Sequence, residues 1–292
     1  MTAVFALATS LLWGLADFGG GLLTRRLQAL TVVVVSQTLA AVVLGAIVLA
    51  TGGWQEAGPQ LWFAVGAGVV GPAAMLCFYR ALALGPMGVV SPLASFGTVL
   101  VPLGVGILAG ERPGLLQITG MLVAVVAVVG VVLAGGPRIS GASVARRTIA
   151  LTVISALGFG AVMALISEAS TTVTGLFLAL FVQRLCNVAV GGAALYASVR
   201  RGTPALPDGG LPALRDALPA LGFVGIADVA ANGTYALAAQ SGPVTMAAVL
   251  ASLYPVVTTL AALGILKERL RAIQTAGASL ALVGSALLAS GG

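Results

Sequence analysis

The chain contains no histidine, and charged residues occupy only 8% of its 292 positions. Without imidazole there is no His-ligated metal, no His general base and no Ser-His-Asp triad. Cysteine is nearly as scarce. Cys77 and Cys186 both lie in apolar stretches, at a spacing that suits neither a metal site nor a disulfide framework. The single lysine, Lys267, falls in a loop, so an intramembrane serine–lysine protease lacks its base. "GGGLLTR" lacks the Gly-Lys-Ser/Thr of a nucleotide loop. These gaps describe a chain that is not an enzyme and carries no cofactor or metal.

What fills the chain instead is apolar: 59% hydrophobic residues and a mean hydropathy of +1.12. Long uncharged runs of this kind are membrane-spanning. The runs are continuous rather than alternating, which selects helices over a barrel. A bilayer core takes roughly 20 helical residues. Spans are expected at about 2–22, 31–50, 61–83, 88–108, 115–134, 148–168, 174–198, 217–239, 244–265 and 272–290. Gly, Pro and charged residues punctuate them, and the longest connection, Arg200 to Asp216, reads as a linker. The first span carries its arginines, Arg25 and Arg26, after its apolar core, the reverse of a cleaved signal.

The net charge is +6. The basic residues sit in short connections, not along one stripe, so nucleic acid is not the partner. Twelve of the fourteen fall in odd-numbered connections, Arg112 in an even one and Arg184 inside a span. The positive-inside bias then places both termini outside the cytoplasm, in a multi-pass protein of the inner (plasma) membrane.

The scarce charges are repeated. "LAGERPGLLQITG" and "ILKERLRAIQTAG" share Glu-Arg, Gln and Gly at a shift of 157 residues, as do Gly85-Pro86 with Gly242-Pro243 and Leu93-Ala94-Ser95 with Leu250-Ala251-Ser252. At a shift of 146, Trp13-Gly14 falls on Phe159-Gly160 and Gln37 on Gln183. The chain divides into two five-span units, 1–137 and 138–292. Five is odd, so the second unit enters the membrane from the opposite side: an all-α, ten-helix, inverted repeat.

Two such units, each with Gly-Pro entering its fourth span and Glu-Arg, Gln and Gly after it, resemble the drug/metabolite transporter superfamily, in its EamA-type branch. "LLWGLADF" is similar to that branch's opening helix. The resemblance implies a central cavity, alternating access, and export of small metabolites, without naming the solute. Pro255 matches a frequent proline of the ninth span, but its repeat partner is Thr98. A kink in the fourth span is therefore expected from Pro92 or Pro102.

Ionisable groups within spans cost at least roughly 2.5–3.5 kcal/mol at a helix centre and are functional by default. Arg184 and Asp228 lie at similar depth on consecutive spans. Asn187 shares a face with Arg184, and Asn232 and Tyr235 share one with Asp228. One reading has Arg184 holding a solute carboxylate while Asp228 and the asparagines read an amine or hydroxyl; the other is a structural ion pair. Asp17, one turn beyond Trp13, is a proton-coupling candidate with Asp228, or a partner for Arg25 or Arg26. Trp13 and Tyr254 are candidates to line the cavity, and Gln37 and Gln183 line it or bridge helices. Glu111-Arg112 and Glu268-Arg269 read as structural groups at span ends. The expected partners are a small solute, amino acids included, the bilayer and a coupling proton. A lipid translocator or a non-transporting scaffold is the alternative.

Overall fold

The computed structural model describes residues 1–108, 114–116, 118–120, 122–123, 126, 142–170, 172–242, 244–268, 270 and 272–290. Among them lie eleven α-helices: α1 (Thr2–Thr24), α2 (Ala29–Thr51), α3 (Leu61–Leu84), α4 (Met87–Ser95), α5 (Gly97–Leu108), α6 (Ala142–Ala169), α7 (Val173–Arg200), α8 (Gly210–Gln240), α9 (Val244–Ala251), α10 (Tyr254–Ile265) and α11 (Ala272–Ser290). Five of these, α1, α2, α3, the Arg146–Ala169 part of α6, and α7, are each long and apolar enough to cross a bilayer. The expected fifth span, 115–134, falls mostly outside the described residues.

Helix ends follow local chemistry. The Thr172 hydroxyl accepts the Gly175 N–H at 3.0 Å and caps α7. Gly52 ends α2 in the left-handed region, φ 70°, where a Cβ is costly. Pro86 precedes α4 in extended backbone, and the chain reverses there. The expected linker is partly helical: α8 begins at Gly210, and Pro212 sits in its first turn, where its missing N–H costs nothing.

The fourth and ninth spans are each broken in two. α5 starts at Gly97 and α10 at Tyr254, positions related by the 157-residue shift. In the second half Pro255, at the start of α10, supplies the cause: it has no N–H for the carbonyl four residues back. In the first half the break lies at Phe96, not at Pro92 or Pro102, which corrects the expected kink. Side-chain hydroxyls satisfy carbonyls around it. Ser95 Oγ donates to the Pro92 carbonyl at 2.8 Å and Thr98 Oγ1 to that of Ser95 at 2.6 Å.

The two halves interlock through equivalent contacts. α1 lies on α10, and α6 lies on α5. At Gly14 a built Cβ would stand 2.5 Å from Val257 Cβ and 2.6 Å from the Tyr254 carbonyl. At Gly160, its repeat partner, the close neighbours are the Gly97 carbonyl and Val101. The aromatic-Gly pair thus lets the first helix of each unit touch the broken helix of the other. In lipid, where tails are as apolar as leucine, such close packing drives helix association. Leu7, Leu11, Val42, Leu49 and Trp62 face outward, as a lipid-contacting surface requires.

Glu268, of the second Glu-Arg, makes contacts across the two units. Its carboxylate accepts the Met87 N–H at 3.2 Å and the Gly88 N–H at 3.4 Å, at the start of α4. Arg25, just past α1, pairs with it at 3.3 Å. A carboxylate at a helix N-terminus is favoured by unsatisfied amides and the helix dipole. The second unit therefore caps the broken helix of the first. Glu111, Arg112 and Arg269 lie outside the described residues.

Candidate functional site

Arg184 is the only basic residue within the expected spans' interior, and α7 delivers it into packed protein at 7% exposure. Its Nη2 donates to Asp228 Oδ2 of α8, and its Nη1 donates to Gln37 Oε1 of α2 at 2.8 Å. Asn187, one turn along α7 and fully buried, donates to the same Gln37 oxygen at 2.9 Å. One ion pair and one glutamine therefore tie α2, α7 and α8. Of the two roles open to Gln37 and Gln183, lining the cavity or bridging helices, Gln37 bridges, whereas Gln183 Oε1 has no hydrogen-bond partner among the described residues.

The network is sealed on the arginine side and open on the aspartate side, at 9% and 24% side-chain exposure respectively. Arg184 Nε and Asn187 Oδ1 are buried without partners among the described residues. Asn187 Oδ1 stands where a Cβ on Gly71 would be, at 2.6 Å. Asn232 makes one local bond, its Nδ2 donating to the Asp228 carbonyl at 2.7 Å.

A second group adjoins the first. Trp13 of α1 meets Tyr235 of α8 with ring centroids 6.0 Å apart, and Tyr254 of α10 at 5.9 Å, edge-on. The Tyr254 side chain is hydrogen-bonded to Ser95, so the breaks of the fourth and ninth spans meet here. Thr258 Oγ1 donates to the Gly14 carbonyl at 3.0 Å. Thr9 and Thr234 share a 2.9 Å hydrogen bond between α1 and α8.

Asp17 lies one turn beyond Trp13 on α1, and α1 packs against both α8, which carries Asp228, and α10, which carries Tyr254. Arg25, the partner expected for Asp17 on one reading, is engaged with Glu268. Among the described residues the ion pairs are Arg25–Glu268 and Arg184–Asp228, and neither includes Asp17.

Tyr79 escaped the sequence reading. It is 4% exposed, and its ring fills the space beside Gly20 of α1, one turn beyond Asp17. In sequence it stands beside Arg80 at a span end, where a tyrosine reads as interfacial. No periodicity distinguishes it.

A multi-pass helical membrane protein with charge and aromatic rings gathered inside it has the build of a solute carrier. The chain matches the EamA-like transporter family over residues 1–133 and again over 146–290, and it belongs to that family, within the drug/metabolite transporters. No curated protein matches the chain.

Proposed function

We propose that this protein is a secondary transporter of small organic metabolites, amino acids among them. It would consist of ten spans in two inverted halves, 1–137 and 138–292, with both termini outside the inner membrane. The solute is moved outward by alternating access around the level of Arg184 and Asp228. The observation that carries this reading is the Asp228–Arg184–Gln37–Asn187 network, a set of charges kept inside the spans at a cost that structure alone does not require. Repeat-equivalent contacts of α1 with α10 and α6 with α5 support two halves that rock about their crossing.

In this reading Asp228, Asn232 and Tyr235 face the solute, with Trp13 and Tyr254 closing the space beside them. A solute carboxylate would take the place of Asp228 on the Arg184 guanidinium. Asn187 holds Gln37 and thereby Arg184. Asp17 or Asp228 takes the coupling proton.

The test is flux from proteoliposomes under an imposed pH gradient, across amino acids, nucleosides, sugars, organic anions and cations. Concentrative flux of one class, lost in Arg184→Ala and uncoupled in Asp228→Asn or Asp17→Asn, is the expected result. Concentrative flux that survives collapse of the gradient rejects proton coupling. No flux of any class rejects the transporter reading of the site.

A further inference from the structure

The second span of each unit meets its own counterpart. α2 and α7 are related by the shift of 146 and pack along each other. As their contacts run along α2 from Gln28 to Gly45, they run back along α7 from Ser198 to Phe181, so the two helices are antiparallel. The repeat also places their small residues. A Cβ built on Gly45 of α2 would stand 3.0 Å from the Phe181 ring, and one on Gly191 of α7, the repeat partner of Gly45, would stand 3.3 Å from Val34. A glycine under a larger side chain, once on each helix, seats the two backbones close together.

Hydrogen bonds hold this pair at three levels. At one end Gln28 Nε2 donates to Ser198 Oγ at 3.0 Å, and Thr31 Oγ1 donates at 2.7 Å to the carbonyl of Ala205, in the connection that follows α7. In the middle Gln37 accepts from Arg184 and Asn187. At the other end the turn Gly53–Glu56, which follows α2, lies on the start of α7. There Thr174 Oγ1 donates to Glu56 Oε1 at 3.0 Å, and a Cβ on Gly53 would stand 3.0 Å from the Thr174 carbonyl. Gln28 and Thr174 are themselves repeat partners. The connection leaving each helix thus latches onto the start of the other.

These contacts are not arranged as a closure. Alternating access opens one face while the other is shut, so a contact that gates a face lets go when that face opens. α2 and α7, each long enough to cross the bilayer, are joined at both ends in one structure. The fourth and ninth spans also meet across the units, α4 against α10, but both of these spans are broken. Glu268 joins Arg25 to the first amides of α4 at one end of them. A break gives a span a place to bend, whereas α2 and α7 are continuous.

We propose that α2 and α7 form a fixed strut that stays joined at both faces through the transport cycle, and that access changes on the side of α1, α4 and α10, where Glu268 lies. This rests on the transporter reading above and names the part of each half that does not rock. Gln37 keeps its hold on Arg184 throughout, so the guanidinium is presented from a wall that stays in place while the broken helices move.

The test is flux from proteoliposomes in a Cys77→Ser/Cys186→Ser background, using the solute class that the unaltered protein carries. Cysteine pairs are closed by a short bis-methanethiosulfonate and reopened by reductant. Gln28→Cys/Ser198→Cys and Glu56→Cys/Thr174→Cys tie the two ends of the strut. Each pair, and both together, should keep most of the flux when crosslinked. Arg25→Cys/Glu268→Cys, crosslinked in the same way, should lose it until reduced. Loss at either strut pair, recovered on reduction, overturns the proposal, because that end of α2 and α7 is then a closure. Flux that survives at all three pairs overturns it too, because the movement is then not where Glu268 lies. Where a strut pair loses flux before crosslinking, a Met87→Cys reporter decides. Thr31→Val and Thr174→Val each remove one end bond, and neither should change the rate at which a water-soluble maleimide alkylates the reporter. A several-fold change overturns the strut. Absence of flux in the unaltered protein counts against the transporter reading alone, and the alkylation rates then judge the strut.

Discussion

At the scale of single residues, Arg184 shows how one side chain is fixed by its neighbours. Its guanidinium serves Asp228 and Gln37, and Gln37 in turn takes Asn187. Removing one member of a buried pair costs about 3–5 kcal/mol, because the other charge is left alone, whereas an apolar pair of similar volume is often neutral. Arg184→Ala should therefore lower the melting temperature strongly in detergent, and Arg184→Met/Asp228→Leu should recover much of the loss while abolishing flux. Equal melting of the two variants would remove the ion pair from the account. Lys267 offers a simpler case. It has φ 53°, the left-handed region, where the corresponding residue of the first unit is Gly110. A side chain there costs roughly 1–2 kcal/mol, so Lys267→Gly should raise the melting temperature. A fall would mean that the lysine side chain contributes more than its backbone strain costs.

At the scale of elements, the broken helices and the glycines that face them decide how the halves fit. Gly14 admits the Tyr254 carbonyl and Val257, so Gly14→Ala must push α1 away from α10. Overpacking of that kind costs about 1–3 kcal/mol. Gly192, in α7, has nothing within 4 Å of a built Cβ, and Gly192→Ala is expected to leave the melting curve unchanged or slightly higher. Similar losses at both positions would mean that helix propensity, not close approach, sets the cost. The breaks themselves were only half legible. Pro255 announces one. The other, at Phe96, carries no proline at the matching place, and Ser95 and Thr98 stabilise it with bonds that no sequence pattern advertises. The start of α8 was hidden for the opposite reason: Gly210, Pro212, Arg215 and Asp216 read as linker, yet Pro is well suited to a first turn.

At the scale of the whole molecule, Glu268 joins the ends of α1, α4 and α10 across the two units. Alternating access requires the contacts that shut one end to release when that end opens. Glu268→Gln removes the charge that holds Arg25 and weakens the cap on α4. A Met87→Cys reporter, in a Cys77→Ser/Cys186→Ser background, should then be alkylated several-fold faster by a water-soluble maleimide. An unchanged rate would make the carboxylate a static cap, not a closure.

The sequence by itself determined the medium, the helices and the repeat. Apolar runs of span length tolerate no other backbone in lipid, and scarce Glu-Arg, Gly-Pro and Gln at constant shifts mark two copies of one unit. It also singled out Arg184 and Asp228, because charge inside an apolar run stands out at any resolution of reading. Only the tertiary structure decided what those residues meet. Trp13 touches Tyr235 and Tyr254, more than two hundred positions away, Glu268 caps a helix of the other unit, and Tyr79 turns from a span end onto Gly20 of α1. Such contacts depend on how helices cross, and crossing is fixed by which small residues let backbones approach. In a chain with 40 glycines, composition does not say which of them those are.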